Sequence, residues 1–150
     1  MRRPLASLLE TLLNRSESLG VGLVDANGLL VEACGFHDGK DANELAVHLP
    51  YANPAGFELF LEERWVEHIM VGVFFNLYVR WLPNYKHLVY CMTPTVGVSG
   101  GPVRYALKNT CEDIAELFDI LDMPLRERLE QPRQFTNGRL FGQGVGGLIK

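Results

Sequence analysis

The chain has 150 residues, 47% of them hydrophobic and 21% charged, enough to bury one globular core without disulfide staples. With 14 Lys and Arg against 18 Asp and Glu, the net charge of −4 gives no electrostatic footprint for nucleic acid or an anionic membrane surface. No apolar run nears the roughly 20 residues of a membrane span, and Glu10 arrives too early for a signal peptide, so the expected setting is cytoplasmic.

Pro4 suits a first helical turn, and Leu5, Leu8, Leu9, Leu12 and Leu13 repeat at three- and four-residue spacing up to Asn14. Two apolar runs follow, Val21–Val24 and Leu29–Ala33, around Asp25-Ala26-Asn27-Gly28. That is a β-hairpin signal: Asn27 and Gly28 tolerate positive φ, and the Asp25 carboxylate can cap the turn. Asp41, three residues before Glu44, resembles a capping box ahead of a helical face of Ala42, Leu45, Ala46 and Leu49, which Pro50 stops. Asn53-Pro54 starts a second helical face, with Phe57, Phe60 and Leu61, that ends near Trp65.

From Glu67 the composition turns β-branched and aromatic, predicting strands over Ile69–Val73, Leu77–Leu82 and Leu88–Met92. Pro83-Asn84-Tyr85 marks one turn. The other falls near Phe74-Phe75-Asn76, and a single strand from Ile69 to Leu82 is the alternative. Ser99-Gly100-Gly101-Pro102 leads into a helix with Val103, Leu107, Cys111, Ile114, Leu117, Phe118 and Leu121 on one face. A domain over residues 1–123 is therefore expected, followed by a partly flexible, glycine-rich tail over 124–150, of which residues 131–150 are expected to be dispensable for folding.

No catalytic, cofactor-binding or metal-ligating constellation stands out. Gly97-Val98-Ser99-Gly100-Gly101 lacks the Gly-Lys-Ser/Thr ending of a phosphate cradle and reads as a strand-to-helix loop. His37, His48, His68 and His87 show neither i, i+4 spacing nor a neighbouring Cys, and Ser99 lies in no nucleophile elbow. Cys34, Cys91 and Cys111, odd in number and set in apolar patterns, read as free buried thiols in a reducing compartment. Phe74 and Phe75 point to opposite faces if extended, so one of them is left for solvent or a partner. Glu58, Glu62 and Glu63 read as a solvated helical face.

The order helix, strand, strand, helix, strand, strand, strand, helix, with Val-Gly-Leu-Val-Asp-Ala-Asn-Gly-Leu-Leu-Val-Glu-Ala near its start, resembles the Roadblock family of dynein light-chain-related domains. The resemblance spans about Leu5 to Leu121. It implies an α/β fold, an α+β sandwich of Roadblock/profilin-like type, with a five-stranded antiparallel sheet, helices on both faces and order αββαβββα. It further implies a non-enzymatic homodimer joined edge to edge, with Ile69, Val71, Val73, Leu45, Leu49 and Phe57 at the dimer interface. A small Ras-like GTPase is the implied partner, with Phe74, Phe75, Phe135 and Phe141 available to contact it. Pro50 and Pro54 depart from the family by interrupting a helix that relatives keep more nearly continuous. A small-molecule sensor of GAF, PAS or profilin-like architecture, and a structural subunit of a signalling scaffold, are the alternative readings.

Overall fold

A computed structural model describes residues 2–51 and 61–121, in which five strands form one antiparallel sheet. In chain order the elements are α1 (Arg2–Arg15), β1 (Gly20–Asp25), β2 (Leu30–Gly35), α2 (Ala42–His48), β3 (Glu67–Val71), β4 (Phe75–Trp81), β5 (His87–Pro94) and α3 (Gly100–Leu121). The sheet order is β2-β1-β5-β4-β3, so the two most apolar strands, β1 and β5, sit inside and β2 and β3 form its edges. By contact density the chain divides after Glu112 into two compact units. In the second, Ile114 and Leu117 are buried on the last turns of α3. The expected boundary at residues 123/124, the tail, and the helical face carrying Phe57 and Phe60 lie outside the described residues.

Strand alternation divides the first unit's interior into two layers. On one face Val24, Leu88, Tyr90, Val79 and Trp81 pack with Ala46 and Leu49 from α2 and its following 3₁₀ turn, and with Trp65. The other face carries Val21, Leu23, Val89 and Cys91, all without exposed surface. The end of α1 is tied to this second face, since Ser16 and Ser18 hydrogen-bond the Cys91 thiol, while α3 meets it where the Cys111 thiol donates to the Arg80 carbonyl. Burial pushes the Cys91 thiol up to about 12 and the Cys111 thiol up as well. Both are thus poor nucleophiles at neutral pH, and all three cysteines are free.

The hairpin forms where expected, with a three-residue loop. Asp25 N–H donates to the Leu29 carbonyl at 2.9 Å, and Asp25 Oδ1 accepts from the N–H groups of Asn27 and Leu29, each at 2.9 Å. Of the two residues that tolerate positive φ, Gly28 is the one that takes it in this loop. Asp41 caps α2 by accepting from the Asn43 N–H at 3.0 Å. Pro50 ends the α-helix, as expected, and is absorbed in the 3₁₀ turn Leu49–Tyr51.

The break between β3 and β4 is a tight turn, which excludes a single strand from Ile69 to Leu82. Gly72 N–H donates to the Phe75 carbonyl at 2.9 Å across a two-residue loop, Val73-Phe74. A Cβ at Gly72 would stand 2.6 Å from that carbonyl oxygen, so a side chain cannot be accommodated without moving the turn.

Candidate interaction surface

Strand β3 offers an edge whose backbone polarity can be worked out from two hydrogen bonds. Gly72 pairs with Phe75, and Trp81 N–H donates to the Val66 carbonyl at 2.9 Å. Hydrogen-bonded and non-hydrogen-bonded pairs alternate in an antiparallel ladder. The register Met70↔Leu77 and His68↔Val79 therefore commits even-numbered residues to β4. Glu67, Ile69 and Val71 consequently turn their N–H and C=O groups away from the sheet.

The side chains along this edge and its turn are apolar and accessible: Val71 is 75% exposed, Val73 83% and Phe74 76%, and Ile69 is also exposed. Thr95 braces the turn, its N–H donating to the Phe74 carbonyl at 3.0 Å and its hydroxyl to the Gly72 carbonyl at 3.4 Å. Phe75 points back into the molecule's shelter, half-buried, with the Lys40 ammonium 5.4 Å from its ring centroid. At the start of β3 the nearly buried Glu67 carboxylate accepts from Arg80 at 3.0 Å and from Arg104. Two guanidinium groups thereby anchor the edge strand to β4 and α3.

Other expected interface residues fall differently. Leu45 is half-buried against the core layer, and Leu49, at 2% exposure, belongs to that layer. Assigning Leu49 to a dimer interface is corrected, because its side chain is consumed by Trp65 and the sheet beneath. The outward face of α2 and its 3₁₀ turn carries Val47 and Tyr51 instead, one helical turn apart and both exposed. Phe57, Phe135 and Phe141 lie outside the described residues.

A buried polar pair joins the segment after β2 to β5. His37, just after β2, places Nε2 2.7 Å from the Tyr90 hydroxyl, with the rings edge to face at 5.8 Å. The Tyr90 ring crosses Gly22, where a Cβ would stand 2.5 Å from it. Burial lowers the His37 pKa, opposed by a ring hydrogen bond to the Gly35 backbone. Among the described residues no group of three His, Cys, Asp or Glu side chains could hold a metal ion, and no helix is long and apolar enough to cross a membrane.

No protein-family model matches the sequence, and no curated protein matches it. Solved structures do. MglB of Myxococcus xanthus superposes with a TM-score of 0.73 at 20% identity, over 82% of this chain and 93% of that one. A structure described as MglB with tetrameric arrangement gives 0.67 at 20% identity, over 77% and 88%. A Roadblock/LC7 domain from Streptomyces avermitilis gives 0.65 at 13% identity, over 75% and 96%. The chain has the Roadblock/LC7 fold.

Proposed function

We propose that this chain is a non-catalytic, homodimeric adaptor of the cytoplasm that binds or regulates a small Ras-like GTPase. The observation that carries the reading is the β3 edge. Its outward backbone groups are unpaired among the described residues and flanked by exposed aliphatic side chains, a combination that a monomer leaves open to edge-to-edge pairing. One MglB structure with this fold has a tetrameric arrangement. Ile69, Val71 and Val73 form the seam, with Leu45 supporting the helix whose Val47 and Tyr51 face outward. Phe74, at the end of the seam, contacts the partner.

The GTPase itself follows from the Roadblock resemblance. Any effect on GTP hydrolysis works by ordering the GTPase's own switch segments. The test is capture of the intact protein from its own cell lysate with and without a GTP analogue, together with light scattering of the purified chain. A retained GTPase whose recovery depends on the nucleotide supports the reading. A monomer at tens of micromolar that retains no GTPase in either state overturns it.

A further inference from the structure

The helices α2 and α3 begin differently. The first opens on the Asp41 carboxylate, which accepts from the Asn43 N–H. The second, 22 residues long, opens on Ser99-Gly100-Gly101-Pro102, with no acidic residue in its first turn and no side chain accepting from its first N–H groups among the described residues. Pro102 has no N–H, so Gly100 and Gly101 carry the unused donors, and a Cβ at Gly101 would meet nothing within 4 Å. A long helix left open in this way presents the positive end of its dipole together with free N–H groups.

Further polar groups without partners gather below that end. Tyr78 is 5% exposed, yet its hydroxyl has no hydrogen-bond partner among the described residues and stands 3.2 Å from where a Cβ at Gly100 would be. Packing alone would be served by phenylalanine. From Gly100, beside Tyr78, α3 runs to Cys111, whose thiol reaches the Arg80 carbonyl, so its N–H end faces back along β4 towards Asn76. Asn76 shares the Tyr78 face of the sheet and pairs with Thr93 of β5. There Asn76 Oδ1 and the hydroxyl of Thr93 are buried without a hydrogen-bond partner. Arg104, one turn into α3, and Arg80 both hold the Glu67 carboxylate, so this neighbouring cluster is net positive.

We propose that the start of α3 binds a phosphate group, free or carried by a small molecule, on the N–H groups of Gly100 and Gly101 and the hydroxyl of Tyr78, over the Asn76–Thr93 pair. The helix end selects negative charge. Donors that arrive along the helix axis and from the sheet below meet different oxygens of a tetrahedral ion, whereas a carboxylate offers its two in one plane. A hydrogen phosphate also brings an O–H, which a carboxylate lacks, to serve the Asn76 acceptor. The loop has no lysine of the kind that holds a nucleoside triphosphate, so a single phosphate group is the expected size. The site uses no residue of the β3 seam and does not rest on the GTPase reading.

The test uses the full-length, isotope-labelled protein. The backbone amide resonances of Gly100 and Gly101 are followed by NMR during titration with inorganic phosphate, O-phosphoserine and acetate at constant pH and ionic strength. Saturable shifts are expected with the two phosphate-bearing probes and not with acetate; the tighter of the two identifies a free or a carried phosphate as the source. Tyr78→Phe, which keeps the buried ring, should weaken the apparent affinity by about tenfold, the worth of a hydrogen bond to a charged group, without lowering the unfolding midpoint. Gly101→Asp sets a carboxylate in open space within the first turn; it should abolish saturation while leaving the midpoint equal or higher. Absence of saturation by either phosphate probe at tens of millimolar, acetate binding as tightly as phosphate, or either variant titrating like the parent would each overturn the proposal.

Discussion

Both edges of the sheet carry exposed aliphatic side chains, Leu29 and Val31 at β2 and Ile69 and Val71 at β3, yet their backbones differ. Along β2 the register with β1 slips by one residue, from Leu23↔Glu32 to Val24↔Leu30, leaving Val31 as an extra residue. Such a bulge interrupts the regular spacing of outward N–H and C=O groups and twists the strand. Strand β3 runs in unbroken register with β4 from Glu67 to Val71. Apolar exposure alone does not therefore identify an assembly edge; the regularity of the backbone beside it distinguishes the two.

The sharpest way to break this comparison is to place a charge on each edge. Val71→Lys should raise the dimer's dissociation constant on the order of 100-fold. Two valines each lose roughly 1.5 kcal/mol of burial in a symmetric seam. Val31→Lys should leave the mass of the assembly unchanged. Analytical ultracentrifugation of both variants decides it, and equal dissociation by both would remove the distinction drawn here.

A change at the sheet's centre should act on the monomer and spare the seam. Gly22→Ala drives a Cβ into the Tyr90 ring and should lower stability by about 2 kcal/mol, within the usual cost of overpacking. Urea unfolding under conditions where the dimer is dissociated measures this. An unperturbed midpoint would mean that Tyr90 and His37 shift aside freely.

A smaller effect is expected from pH. Because burial lowers the folded-state pKa of His37, its neutral form is favoured in the fold relative to an unfolded histidine near pH 6.5. Its contribution is complete above the unfolded value and is lost as pH falls below it. The parent's unfolding midpoint should therefore drop between pH 7.5 and 5.5 more steeply than that of His37→Gln. Parallel pH profiles would show that His37 is protonated without loss of its place. The smallest effect is expected from truncation after Glu130, which should shift the melting temperature by roughly 3 °C or less and preserve a cooperative transition. Loss of cooperativity would place residues 131–150 in the folding unit.

What could be read from the sequence follows the range of the interactions involved. The hairpin and its Asp25 cap were legible because the determining contacts lie within four residues. The β3–β4 break was placed two residues late: the aromatic run drew attention to Phe74–Asn76, while Gly72, the residue without room for a Cβ, carried the signal. On α2, periodicity gave Leu45 and Leu49 as one face without telling whether that face meets the sheet or a second chain. The sheet occupies it, and Val47 and Tyr51 face out. The approach of Tyr78 to Gly100 and the His37–Tyr90 pair left no local trace, because each joins residues from separate elements whose meeting depends on the finished fold.

The extra residue at Val31 also bears on how far assembly can run. A chain with one pairing edge closes into a two-fold pair and stops; a chain with two such edges has no terminus and grows as a ribbon. Deleting Val31 would restore even spacing along β2, giving the sheet a second regular edge. If the β3 edge is engaged as proposed, the product would be an open polymer rather than a discrete particle. One irregular residue on the far side of the sheet would thus set the upper size of the assembly proposed for the near side.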